Sequence, residues 1–233
     1  MVDVSKKEIV RGMFNDISPK YDFLNHFLSL GIDRIWRKKL VVILKNRQPV
    51  NVLDVATGTG DLAIAISSLG VRKIVGIDIS EKMLEIGRRK LIEKNLEQTI
   101  TLQQADAEKI PYSDNSFDAV TVAFGVRNFE DLSQGIAEMS RVLRPGGVMI
   151  ILEFSHPESF PVKQLYSFYS SYIIPVMGRL ISGNNKAYTY LPESVTAFPS
   201  GRPFLEILDK QGLKNTRQVS LSMGIVSIYM AEK

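Results

Sequence analysis

Three observations predict a single α/β domain built on a mostly parallel, seven-stranded sheet. Short apolar runs of strand length alternate with amphipathic stretches of helix length from about residue 51 to 154. A glycine turn, "TGTG", ends the first apolar run just ahead of a helical pattern. The chain has 233 residues, 45% hydrophobic and 23% charged, enough for one sizeable soluble core with an appended cap.

Residues 1–48 read as an N-terminal helical cap. "KEIVRGMFNDI" places Ile9, Met13 and Phe14 on one face. "SPKYDFLNHFLSLG" opens on a cap-like Ser18-Pro19, and "DRIWRKKLVVILK" continues the pattern from Asp33, read as an N-cap. Residues 49–155 form the core. "NVLDVA" is the first strand, and "LAIAISSLG" is a helix stopped by Gly70. "KIVGIDI" is the second strand, and Ser80 caps the helix "EKMLEIGRRKLIEKN". "ITLQQADA" and "FDAVTVAFG" are the third and fourth strands. "LSQGIAEMSRVLRPGG" is a helix ending in Pro-Gly-Gly, and "VMIILEF" is the fifth strand. Near-continuous apolar strands alternating with helices require a sheet covered on both faces.

The alternation stops after 155. Residues 156–200 read as an inserted helical lid, with helices broken at Pro175, Pro192 and Pro199. Residues 201–233 supply a closing helix, "FLEILDKQGL", and two strands turning at Met223-Gly224, an antiparallel hairpin at the sheet edge. No internal repeat or low-complexity linker divides the chain, so the lid is embedded in one domain.

Composition narrows the chemistry. With no cysteine there is no disulfide, thiolate metal site or cysteine nucleophile, and a reducing, cytoplasmic compartment fits. His26 and His156 lie far apart and suggest no metal cluster. A net charge of +4 suits an anionic substrate or a membrane surface and is weak evidence for nucleic-acid binding. "MVDVSKKEIV" carries charges where a signal peptide needs an apolar core. The most apolar late stretch, "LYSFYSSYIIPVMG", leaves 15 residues between Lys163 and Arg179, short of the roughly 20 that a spanning helix needs.

Gly58, Gly60 and Ala63 give G-x-G-x-x-A between a strand and a helix, where glycine lets a ligand approach the backbone closely. Asp78 ends the next strand, placed to accept hydrogen bonds from both hydroxyls of a ribose. The ligand therefore contains adenosine. A dinucleotide fits poorly, because Asp54 and Asp61 flank the glycines and repel a pyrophosphate. S-adenosylmethionine, cationic and phosphate-free, fits better. Asp106, after the third strand, is placed to read an adenine amine, or else caps a turn.

These segments carry a resemblance. "LDVATGTGD", "GIDIS", "ADAEKIPYSDNSFD" and "RVLRPGG" resemble the successive motifs of class I S-adenosylmethionine-dependent methyltransferases, which have a Rossmann-like fold. More narrowly, "MFNDISPKYDFLNHFLSLGIDRIWR", "FGVRNFED", "LEFS" and "YTYLPESVTAFP" resemble the C-methyltransferases of menaquinone and ubiquinone biosynthesis, the MenG/UbiE family, from about residue 8 onward. The resemblance implies methylation of a ring carbon of a prenylated quinol. It implies cofactor contacts from Thr59, Asp78 and the pair Asp106-Ala107, beside the turn residues Asp54, Gly58 and Gly60. Relatives often carry Asn in place of Asp106; either side chain accepts from an amine.

The sulfonium methyl is already activated, so the enzyme must align it with an electron-rich carbon. A quinol carbon becomes nucleophilic when a neighbouring hydroxyl, of pKa near 10, loses its proton. Arg127, just past the fourth strand, is expected to stabilise the phenolate, with Asn128 orienting the ring oxygen; the competing reading pairs Arg127 with Glu130 or Asp131. Tyr21, Asp22 and His26 are candidate bases. Asp22 and His26 are four apart, so one helical face presents both, and water is the remaining acceptor.

Phe160, Tyr166, Phe168, Tyr169, Tyr172, Ile173, Ile174 and Met177 are candidates to line a channel for the prenyl tail, with Tyr188 and Tyr190 edging the ring pocket; core packing is the other reading. Arg34, Arg37, Lys38 and Lys39 beside Trp36 either touch anionic lipid at the inner face of the membrane or form a solvated helix face. Three alternatives stay open: methylation of another small molecule or of RNA, a non-catalytic S-adenosylmethionine-binding partner in a quinone-synthesis complex, and a nicotinamide dehydrogenase. No RNA-binding module or broad basic surface is visible, and a homo-oligomer is left open.

Overall fold

The computed structural model describes residues 5–169, 172 and 185–233, the side chains of 185–189 excepted. The N-terminal cap comprises helices α1 (Lys6–Ile17), α2 (Tyr21–Leu28) and α3 (Ile32–Lys45). Ser5 caps α1 by accepting from the backbone N–H of Glu8. Ser18-Pro19 does not cap α2; it forms a short 3₁₀ turn, and the Ser18 hydroxyl donates back to the Asn15 carbonyl. Nor does Asp33 cap α3. The chain enters that helix through Gly31 at φ +75°, and Asp33 sits in the first turn, buried.

The core follows as β1 (Asn51–Val55), α4 (Asp61–Ser67), β2 (Lys73–Asp78), α5 (Glu81–Glu93), β3 (Ile100–Gln104), β4 (Phe117–Ala123), α6 (Leu132–Val142) and β5 (Leu143–Phe154). Ser80 caps α5, as its position predicts, accepting from Met83 N–H. Then come α7 (Val162–Phe168), α8 (Asn185–Ala197), α9 (Arg202–Lys210), β6 (Lys214–Leu221) and β7 (Val226–Glu232). Pro192 lies inside α8 and does not end it. Pro175 lies outside the described residues.

The seven strands are ordered β3-β2-β1-β4-β5-β7-β6. β1 to β5 pair in parallel, and β7 runs antiparallel to both β5 and β6. The reversed strand is thus one place in from the edge, and β6 is outermost. The side chains explain this. β7 is buried along nearly its whole length and needs a neighbour on each side, whereas β6 alternates between exposed and half-buried positions, as an edge strand does.

Alternation along each strand divides the core between the two faces. Leu53, Val55, Val120 and Val122 pack with α6 and α9 through Ile136, Met139 and Phe204. Val52, Ala119 and Ile150 pack with α3, α4 and α5 through Leu40, Ile66 and Leu84. A third cluster holds the cap in place: Ile17, Leu24 and Met83, with Phe14, Tyr21, Tyr169 and Leu191 against them. Chain order reverses between β1 and β4, so a crevice opens at the carboxyl ends of those strands, beneath the cap.

Candidate active site

Two cavities meet in that crevice. The smaller, about 80 Å³, lies against the glycine turn and is walled by Gly58, Asp78, Met83, Asp106, Ala107 and Asn128, among others. The larger, about 320 Å³, lies between the cap and the lid, walled by Trp36, Arg127, Phe154, Tyr166, Tyr169 and Tyr190, among others. Phe14, Tyr21 and Phe124 belong to both walls, so they form the partition between the two spaces.

The smaller cavity is assembled from strand ends. Gly58 and Gly60 take φ +58° and +80°, turning the chain from β1 into α4. Gly58 N–H donates to Asp78 Oδ2 at 2.8 Å, and Ser80 N–H donates to Oδ1 at 2.8 Å. Burial pushes the Asp78 carboxyl up, and those backbone donors work against the shift. A carboxylate has about four acceptor sites, so with backbone donors from Gly58, Ser80 and Ile79, Asp78 keeps room for a ribose hydroxyl. Asp106 accepts from Glu108 N–H at 2.9 Å and from Lys7 Nζ at 2.6 Å; Lys7 also reaches Glu108 at 3.1 Å. Burial alone would lower the Lys7 pKa, but these two carboxylates outweigh it and raise it. Lys7 thus crosses the cavity as a latch from α1.

Asp54, Thr59 and Gly60 are absent from the cavity wall. Asp54 lies fully buried beneath the turn, accepting from Thr57 at 2.6 Å and Thr121 at 2.8 Å, and burial pushes its pKa up to about 6. Thr59 is buried and donates to Asp22 at 2.6 Å. Asp61, expected beside the ligand, is ion-paired to Lys90 at 2.5 Å. Among the described residues the carboxylates that do face the space are Asp78, Asp106, Glu108 and Glu130, against one cation, Lys7. The charge argument against a pyrophosphate therefore passes to other residues. An acidic wall with a ribose-reading aspartate at a strand end fits S-adenosylmethionine.

In the larger cavity Arg127 is almost fully buried. Its Nη1 lies 2.7 Å from Glu153 Oε1 and donates to the Phe124 carbonyl at 2.6 Å. Its guanidinium lies 5.3 Å over the Phe154 ring. It pairs with neither Glu130 nor Asp131, because the backbone after β4 turns the side chain inward towards β5. Its Nε is buried with no hydrogen-bond partner. Burial pushes the Glu153 carboxyl up, and Arg127 opposes the shift. Asn128 accepts from the Tyr190 hydroxyl at 3.1 Å and walls the smaller cavity. Tyr21 is raised in pKa by burial, with Asn25 bonding to it. Burial pushes Tyr166 up to about 12, so its hydroxyl stays protonated at neutral pH.

Asp22 and His26 do share a face of α2, but that face meets the glycine turn and α3, and neither residue walls either cavity. Asp22 pairs with Lys90 at 2.8 Å; His26 Nδ1 lies 2.8 Å from Asp33 Oδ2. Burial would raise the Asp33 carboxyl, but bonds from Ser29 and Arg37 hold it below the usual range. Trp36 turns inward, donating to Ser222 at 2.8 Å. Of the aromatic lid residues, Tyr166 and Tyr169 wall the cavity, while Phe160, Phe168 and Tyr172 point outward. Ile173, Ile174 and Met177 lie outside the described residues, as does the side chain of Tyr188.

Sequence reasoning missed four participants. Glu153, at the end of "IILEF", is an acid closing an otherwise apolar strand, and that was its signal. Trp36 sits four residues after Ile32 and four before Leu40, a spacing that turns it inward. Lys7 and Asn25 carried no signal, since each meets its partners only in the folded chain.

The sheet order and the two-part crevice define a class I S-adenosylmethionine-dependent methyltransferase fold. Two solved structures share it: a "SAM-dependent methyltransferase, possible histamine N-methyltransferase" from Thermotoga maritima (TM-score 0.65, 19% identity, 95% of this chain and 99% of that one), and a putative S-adenosyl-L-methionine-dependent methyltransferase from Methanococcus maripaludis (TM-score 0.61, 21% identity, 100% and 97%). The chain belongs to the ubiE/COQ5 methyltransferase family, whose profile matches residues 1–233. It is 46% identical to a demethylmenaquinone methyltransferase of Bacteroides fragilis over 99% of this chain and 95% of the relative. It is equally identical to a ubiquinone/menaquinone biosynthesis C-methyltransferase UbiE of Geobacter sulfurreducens over 98% and 90%.

Proposed function

We propose that the protein methylates a ring carbon of a prenylated quinol, converting demethylmenaquinol to menaquinol, with S-adenosylmethionine as the donor. The observation that carries the reading is the partition of Phe14, Tyr21 and Phe124. An acidic nucleoside site and an apolar ring site border the same three side chains, so the donor methyl and the acceptor carbon would meet in direct contact beside them. The 46% identity to relatives named for this reaction over nearly the whole chain supports it.

S-adenosylmethionine supplies an electrophilic methyl when bound. Asp78 would hold its ribose, and Asp106 with Ala107 would receive its adenine in place of the Lys7 contact to Asp106. Asp54, Thr59 and Gly60 shape the turn from beneath. In the ring site the Arg127 guanidinium, which walls the cavity, faces a quinol oxygen and lowers the cost of the phenolate. Glu153 fixes the guanidinium. Tyr166, still protonated, donates to the second oxygen. Asn128 and Tyr190 close the ring site beside the partition. Arg127 cannot accept a proton, burial keeps the Tyr21 hydroxyl protonated, and we assign Asp22 and His26, which wall neither cavity, to positioning α2 against the glycine turn, so the quinol proton leaves to water. Among the described residues no helix is long and apolar enough to cross a membrane; the protein works from the cytoplasm at the membrane surface where its lipid substrate resides.

The test is a product assay with labelled S-adenosylmethionine and a panel of reduced demethylnaphthoquinols and methoxy-benzoquinols of short chain. Label on a ring carbon of the naphthoquinol is expected. No transfer to any reduced acceptor would refute the catalytic reading.

A further inference from the structure

We propose that the corner between α2 and α3 seats the protein on an anionic lipid bilayer, with the mouth of the larger cavity opening into the lipid. The proposal rests on the quinol reading above and adds which face docks, which lipid charge it prefers and where the prenyl tail enters.

Four observations converge on this corner. First, α2 and the turn after it carry apolar groups outward: Phe23 and Phe27, four apart on the helix with their rings stacked at 5.8 Å, and Leu30 in the turn, the first 59% and the last 80% exposed. Ile35 on α3 is 65% exposed. Clustered exposed apolar groups of this size mark an interaction surface. Second, Leu30 and Ile32 are at once exposed and part of the cavity wall, so the cavity opens between these two helices. Met223 stands 72% exposed next to Ser222, which belongs to the same wall.

Third, the charge around the stripe has one sign. Arg34, Lys38 and Lys39 are exposed, and no ion pair among the described residues engages them. Lys38 and Lys39 lie three and four residues beyond Ile35, on its side of the helix. The acids of the same segment are already neutralised: Asp22 by Lys90, and buried Asp33 by Arg37. An apolar tip ringed by uncompensated cations complements a bilayer whose surface is anionic. Fourth, about 320 Å³ is at the low end of ligand cavities, roughly 300–1,000 Å³, enough for a ring and its first prenyl units. A longer tail must leave through the mouth, and hydrocarbon leaving there needs hydrocarbon outside. A protein partner or a second copy would meet the apolar stripe but gives no destination for the tail.

The test uses the full chain and vesicles of phosphatidylglycerol and phosphatidylcholine in equal parts, against vesicles of phosphatidylcholine alone. Flotation is expected to show at least about tenfold tighter binding to the anionic vesicles. Phe23→Ser with Ile35→Ser should weaken binding to both vesicle types about tenfold. Arg34→Gln with Lys38→Gln and Lys39→Gln should erase the preference for anionic lipid. None of these residues walls either cavity, so both variants should retain cofactor affinity by calorimetry and turn over a water-soluble short-chain quinol at the parent rate. Turnover of a long-chain quinol held in anionic vesicles should fall with vesicle binding. The proposal is overturned if the parent protein does not float, if both variants float like the parent, or if sedimentation shows that they break a dimer instead. Loss of the quinol reading is separately visible: no quinol would be methylated in any format, whatever the vesicles report.

Discussion

The two cavities were built in different ways, and the contrast explains what each can do. The nucleoside cavity is made by loops at the ends of adjacent parallel strands, and its polar groups are held by backbone N–H donors from Gly58, Ser80 and Glu108. Such a site is rigid because the sheet fixes it. The ring cavity is made by helices laid across the sheet, with walls from α2, α3, α8 and the stretch after β4. It is held by single contacts: Tyr169 to the Leu28 carbonyl, Tyr190 to Asn128, Trp36 to Ser222. A fixed site suits a small invariant donor, and a site between packed helices can open to admit a long acceptor.

That contrast can be broken from either side. The largest expected effect is on the ring side. Arg127→Ala should lower turnover on the order of 10³-fold, as loss of a charge-stabilising donor does, and leave cofactor affinity by calorimetry within about twofold, below about 0.5 kcal/mol. A matching loss of cofactor affinity would show that the two sites are one. Next is the support beneath the glycine turn. The Asp54 carboxyl is raised from its ordinary value to about 6 in the folded protein. A carboxyl with a raised folded pKa binds protons more readily folded than unfolded, so stability falls as pH rises from about 4 through about 6, by on the order of 3 kcal/mol. Urea unfolding at pH 4.5 and 7 should show Asp54→Asn gaining stability over the parent at pH 7 and much less at pH 4.5. An equal difference at both pH values would remove burial as the cause. The smallest effect is on the nucleoside side. Asp106→Ala should weaken S-adenosylmethionine about tenfold, near 1.4 kcal/mol, with kcat at saturating cofactor almost unchanged.

The same contrast governs how much could be read from the sequence. The strands, the helices between them and the glycine turn follow from local patterns, and Gly58, Asp78, Asp106 and Ala107 do line one cavity because each lies next to a strand end. Asp54 was misplaced because alternation along a strand says which face a side chain takes, not whether a ligand or another side chain waits there; here Thr57 and Thr121 do. Asp22 and His26 share a helical face as their spacing requires, yet the partner of that face, Lys90 on α5 and Asp33 on α3, is a tertiary fact. Arg127 was found by its position after β4, whereas Glu153, 26 residues on, joins it only because β4 and β5 pair in register. The hairpin of β6 and β7 was read from the sequence, but its reading as an edge left out which strand lies inside, which only the folded chain shows.

The central claim is that Arg127 makes the quinol oxygen ionise inside a cavity next to the methyl donor. The direct measurement is the pH dependence of kcat for the parent and for Arg127→Ala, with a water-soluble reduced acceptor at saturation. The account predicts a parent rate that levels off well below the free phenolic pKa of about 10, and a variant whose rate keeps climbing with alkali towards the parent's. A variant profile of the parent's shape, lowered equally at every pH, would contradict it.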